Sequence, residues 1–171
     1  RWPVFTWGLV ATMLLILVCS HAALDTVVEK WGLISADSGR EWGLTWITSI
    51  LLHAGWVHLL SNAYFLLIFG DNVEDLIGKV RFGLLFLLSG LAGGVLHCGF
   101  EAHSDLPLVG ASGAIAGVMT FYALAFPRAK IILFLYYRWL KIPAWLALLA
   151  WCALQFLIIT QQMSGYGNVS G

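Results

Sequence analysis

Five apolar runs, at residues 3–20, 47–70, 82–100, 111–126 and 143–161, constrain this chain more than any other feature. Most approach the roughly 20 residues an α-helix needs to cross a hydrocarbon core about 30 Å thick. Inside such a core every backbone amide must be satisfied within its own segment, which favours helices packed as a bundle. Only 11% of the residues are charged, against about a quarter in soluble domains. Trp2, Trp7, Trp31, Trp42, Trp46, Trp56 and Trp139 lie near the ends of runs, as interfacial belts require, while Trp145 and Trp151 lie deeper. The expected architecture is therefore all-α: a polytopic membrane helix bundle with five spans, forming a single domain over residues 1–171.

The distribution of charge orients the bundle. If the connections alternate between two sides, Arg1, Lys79, Arg81, Arg128, Lys130, Arg138 and Lys141 fall on one side and only Lys30 and Arg40 on the other. That bias makes the first side cytoplasmic and places the N-terminus there. The expected location is the inner membrane of a bacterial cell. The first run has no small-residue cleavage site leading into a soluble domain, so it reads as a span and not as a signal peptide.

Between the runs, residues 21–46 are too long and too rich in Trp, Leu and Val for a simple linker, and short helices partly in the outer leaflet are expected. Asp71 to Gly78 reads as a short cytoplasmic turn, and residues 101–109 as a polar external loop leading to Gly110. Pro127 stops the fourth helix. The apolar piece 131–137 is too short to span and is expected at the interface. Gly90-x-x-x-Gly94 and Gly113-x-x-x-Gly117 each place small residues on one face, allowing close helix approach, and the second frees space around Ser112. Cys19, Cys98 and Cys152 have no paired spacing and read as small buried hydrophobes.

The polar groups inside the runs are functional suspects, because membrane burial is costly for them. Ser112 sits between Gly110 and Gly113 at the mouth of the fourth run. His58 and Asn62 are four residues apart, hence stacked on one helical face. If the second helix enters near His53, His58 lies about 8 Å down and Asn62 about 14 Å. The fourth run is only about 24 Å long, which puts Ser112 below the outer surface at a similar depth. Acyl transfer needs a nucleophile, a base and oxyanion donors. Ser112 opens a helix whose first backbone amides are free to donate, Asn62 and His58 add side-chain donors, and Gly110 and Gly113 leave room for a substrate backbone. A serine at a helix start also serves as an ordinary cap, and a membrane histidine as a helix-to-helix hydrogen bond.

The run His53-Ala-Gly-Trp-Val-His58-Leu-Leu-Ser-Asn62, followed by Gly110-Ala-Ser112-Gly113, resembles the rhomboid family of intramembrane serine proteases. The resemblance implies a six-helix bundle, of which this chain supplies five helices and ends where the sixth should begin. It implies Ser112 as nucleophile, His58 and Asn62 as oxyanion donors aided by the Ser112 amide, Gly110 in the substrate-binding region, and His53, Gly113 and Gly117 as supporting residues. The base is expected to be a histidine beyond residue 171; His21, His97 and His103 are weak substitutes. Two features depart from the family pattern. A Trp-Arg pair is replaced by Leu44 and Thr45, with Arg40, Trp42 and Trp46 nearby, and an aromatic four residues after the nucleophile is replaced by Ala116.

The implied activity is intramembrane serine endopeptidase cleavage of transmembrane protein substrates near the outer membrane face. The alternative is a non-catalytic rhomboid-like protein that binds transmembrane segments. A transporter is disfavoured, since no ionisable residue lies near mid-membrane and no inverted repeat is visible. The expected partners are transmembrane substrates and the lipid bilayer. No nucleic acid, cofactor or metal ion is expected.

Overall fold

A computed structural model describes residues 2–135 and 137–167; the segment in which a sixth helix is expected lies outside them. All five apolar runs are helical. The first forms α1 (Val4–Ser20), the third α5 (Lys79–Phe100), the fourth α6 (Ser112–Ala125) and the fifth α7 (Ala144–Gly167). The second forms two helices, one over Thr45–Leu51 and one over Trp56–Ile77, bent by 87° across Leu52–Gly55. A short helix over Leu24–Trp31 precedes them, so in chain order these three are α2, α3 and α4. By length and composition, α5 and the stretch Val4–Trp31 are fit to cross a bilayer among the described residues, and the bent α3–α4 pair makes a third when read as one span.

The chain divides into two units, residues 1–118 and 119–171, with the boundary inside α6. In the first unit, α1 packs most extensively on α4, and α5 lies against both α3 and α4. Met13 and Leu17 of α1, Leu59, Leu66, Phe69 and Val73 of α4, and Phe82 and Phe86 of α5 are buried, as are Ala111, Ala114 and Ile115 around the start of α6. The outward faces are equally apolar: Leu14, Leu15 and Val18 of α1 and Leu84, Leu88 and Val95 of α5 are exposed. Helices apolar on every side belong in lipid. Cys19 and Cys152 follow this pattern, being exposed while Cys98 is half-buried, so the expectation that all three are buried in protein is corrected. A small apolar residue is as well placed against lipid as in a core.

The acidic segment after Asp71 is not a turn. α4 continues through it to Ile77, and the break comes at Gly78, whose φ of +82° suits glycine. Glu74 explains the extension. It is buried, and its carboxylate accepts hydrogen bonds from the amides of Phe5 and Thr6 at 3.0 and 2.8 Å and from the Thr6 hydroxyl at 2.9 Å. Those amides are the orphan donors of the first turn of α1, and Pro3 offers no side-chain cap. A negative charge there also complements the positive helix end.

The external connection is built from short helices, as expected, including α2 and 3₁₀ turns at His21–Ala23, Ser35–Asp37 and Arg40–Gly43. A two-residue strand, β1 (Leu33–Ile34), pairs antiparallel with β2 (Pro107–Leu108), tying this connection to the loop before Gly110. Although the Trp-Arg positions carry Leu44 and Thr45, Arg40 donates from Nη2 to the carbonyls of Glu29 and Gly32 at 2.6 and 2.5 Å. Trp46 Nε1 donates to the Ser38 carbonyl at 2.9 Å, and the Thr48 hydroxyl to the Trp31 carbonyl at 2.7 Å. Neighbouring residues thus anchor the connection.

In the second unit, the apolar piece after Pro127 is a β-hairpin. β3 (Lys130–Leu135) pairs with β4 (Arg138–Pro143) from Lys130↔Pro143 to Leu135↔Arg138. The hairpin leads straight into α7.

Candidate active site

The site forms where the start of α6 meets the first two turns of α4. Gly110 holds a φ of +121°, a region L-residues rarely adopt, and its amide donates to the Ser49 carbonyl of α3 at 2.8 Å. A Cβ at this position would lie 2.6 Å from both Cε1 and Nε2 of His58 and 3.7 Å from Asn62 Nδ2. Only glycine lets the chain pass so close to the imidazole. The backbone two residues before Ser112 therefore lies directly on His58 and beside Asn62, which bridges the gap of about fifty residues in the sequence.

Ser112 is the first residue of α6 and is half-buried. The first bond of the helix ladder runs from the Ile115 amide to the Ala111 carbonyl at 2.9 Å, so the amides of Ser112, Gly113 and Ala114 lie outside the ladder. Asn62 is buried, and neither Nδ2 nor Oδ1 has a hydrogen-bond partner among the described residues. Leaving such a group unpaired costs roughly 1–3 kcal/mol, and that cost is typical of groups kept for a ligand.

His53 is not on the helix that carries His58. It sits in the break between α3 and α4, buried, with Nδ1 donating to the Leu51 carbonyl at 3.2 Å. That bond puts its proton on Nδ1. Its ring stands edge-on to His58, centroids 5.0 Å apart at 68°, which limits how far the His58 imidazole can turn.

Gly113 and Gly117 face α5. A Cβ on Gly113 would lie 3.3 Å from the Gly93 Cα, and one on Gly117 would fall on the Ser89 side chain, 2.3 Å from its Cβ. The space gained is filled by α5, which corrects the expectation that this glycine pair opens room around Ser112. Gly90 and Gly94 accept Ile50 on one side and Leu33 and Trp46 on the other. Of the weak substitute bases, His21 packs its ring on Trp56 at 6.1 Å, and His97 lies on α5.

Sequence reasoning missed Ser49, Ser89 and Gly93. Ser89-x-x-x-Gly93 is itself a small-residue spacing, hidden beside the more obvious Gly90-x-x-x-Gly94. Ser49 acts through its carbonyl, which no sequence pattern reveals.

The family model described as Rhomboid domain matches residues 40–171. "RHOMBOID-like protein 6, mitochondrial" of Arabidopsis thaliana is 38% identical over 99 residues, covering 56% of this chain and 31% of that protein. "Putative rhomboid protease YdcA" of Bacillus subtilis is 37% identical over 123 residues, covering 71% of this chain and 61% of that protein. "Rhomboid protein 1, mitochondrial" of Saccharomyces cerevisiae is 34% identical over 110 residues, covering 61% of this chain and 31% of that protein. The chain thus spans less than two thirds of the length of each of these relatives.

Proposed function

The chain belongs to the rhomboid family of integral membrane proteins, and from that premise we propose that it is an intramembrane serine endopeptidase with Ser112 as nucleophile. The observation that carries this reading is the convergence on Gly110 of His58 and the Asn62 carboxamide, unpaired among the described residues, at the entry to the helix that Ser112 begins.

In the proposed reaction, the Ser112 hydroxyl attacks a peptide carbonyl of a transmembrane substrate, and its proton passes to an imidazole base. By the family resemblance, that base is a histidine following residue 171. The developing oxyanion accepts hydrogen bonds from Asn62 Nδ2, a His58 ring N–H and the Ser112 amide. The tetrahedral intermediate collapses, the base returns its proton to the leaving amine, and water hydrolyses the acyl-enzyme. His53 acts as a positioning residue by limiting rotation of His58. The proposed orientation places the basic connections in the cytoplasm and opens the site to the external face.

The whole protein in detergent, treated with a fluorophosphonate probe, tests this reading. Labelling that disappears in Ser112→Ala supports it. Well-folded protein that takes no label overturns it in favour of a non-catalytic binder of transmembrane segments.

A further inference from the structure

The β3–β4 hairpin has two unlike faces. Residues alternate across a strand and directly paired residues share a face, so Lys130, Ile132 and Phe134 of β3 lie with Trp139, Lys141 and Pro143 of β4. On the other face the β3 residues Ile131 and Leu133 are buried, while Leu140 and Arg138 of β4 are exposed. On the first face Ile132 is 55%, Phe134 44% and Trp139 72% exposed, and both lysines are exposed. The rings of Phe134 and Trp139 form a tilted cross-strand pair with centroids 4.9 Å apart. Tyr137 stands out at the tip, Arg128 is exposed just before β3, and Arg138, the first residue of β4, is exposed on the opposite face.

We propose that this face is a docking surface for anionic phospholipid headgroups, with the Phe134–Trp139 pair and Ile132 seated at the acyl boundary and Lys130 and Lys141 reaching the phosphates. Charge complementarity selects this occupant: Arg128, Lys130, Arg138 and Lys141 lie within fourteen residues, and no Asp or Glu occurs from Leu106 to Gly171. The hairpin joins two apolar helices, α6 and α7; with these read as spans, it stands where the chain leaves the bilayer and returns. Aromatic rings prefer that depth. Each basic residue near an anionic leaflet raises the local preference for anionic lipid by about fivefold.

The test uses the whole protein in phosphatidylcholine nanodiscs containing acyl-brominated phosphatidylglycerol or acyl-brominated phosphatidylcholine at equal bromine content. Subtracting the emission of Trp139→Phe isolates Trp139. The expected result is quenching about threefold or more stronger with the anionic lipid at low salt, falling to parity at high salt as screening shortens. Lys130→Gln/Lys141→Gln should cut the preference several-fold and Lys130→Arg/Lys141→Arg should keep it. Equal quenching by the two lipids at low salt overturns the proposal. So does a preference undiminished in the glutamine variant, or a Trp139 that neither lipid quenches, which is the outcome for a face turned to a protein partner. The salt series on the unaltered chain decides the matter even where a variant fails to fold.

Discussion

Glu74 stands in for a missing N-cap at Thr6, accepting both its amide at 2.8 Å and its hydroxyl at 2.9 Å from a helix sixty-eight residues further along the chain. Because those donors would otherwise be buried unpaired, Glu74→Ala should lower stability by roughly 2–4 kcal/mol, read as the midpoint of unfolding in detergent. Thr6→Val should cost less. The two changes together should cost less than their sum, since each removes part of the same contact. Additive losses would show that the bond from the Thr6 hydroxyl to Glu74 carries none of the stability.

Gly110→Ala should reduce serine labelling by about 100-fold or more, the scale of a displacement of about 1 Å at a reacting centre. Its Cβ would meet the His58 ring at 2.6 Å, and its φ of +121° is costly for alanine. Gly8→Ala, with nothing within 4 Å, is the matched control and should label normally.

Asn62 separates function from stability. Asn62→Ala should slow probe labelling by about 10²–10³-fold, the usual cost of one oxyanion donor, while leaving the unfolding midpoint level or higher. The wild-type amide is buried without a partner among the described residues, so its removal relieves a penalty. A fall in stability matching the fall in labelling would make Asn62 a structural residue.

Gly117 and Ser89 make a compensating pair. Gly117→Ala should cost about 1–3 kcal/mol, because the added methyl falls on the Ser89 side chain. Ser89→Gly removes those obstructing atoms, so the double variant should recover most of the loss, less the cost of about 1 kcal/mol of a glycine within α5. Thermal unfolding of the four proteins completes the cycle.

The ends of α1, α5 and α6 were legible because hydropathy changes there: α1 closes at Ser20, and α6 stops before Pro127 as proline demands. The α3–α4 bend was not, because apolar residues continue on both sides of Leu52–Gly55 and only His53 and Gly55 interrupt them. Glu74 misled for the opposite reason. Its charge resembles solvent, while its real partner is the amide end of another helix. The β3–β4 hairpin was concealed because the exposed Ile132 and Phe134 are as apolar as the buried Ile131 and Leu133, leaving no alternation from Ile131 to Leu135. At the site, the four-residue spacing of His58 and Asn62 was readable. Their closeness to Gly110 depends on a positive φ and on a carbonyl of Ser49, which belong to the backbone and leave no trace in residue type.

Where α6 crosses α5, Gly113 and Gly93 bring two main chains together with no side chain between them, and Ser89 fills the notch at Gly117. This seam acts as a ruler. The height of Ser112 in the bundle is measured from the α5 backbone, not from the loops at either end. A thicker or thinner bilayer, which helices accommodate by tilting, would therefore carry α5 and the first turns of α6 together, keeping the serine's elevation constant relative to α5 while its distance from the water surface changes.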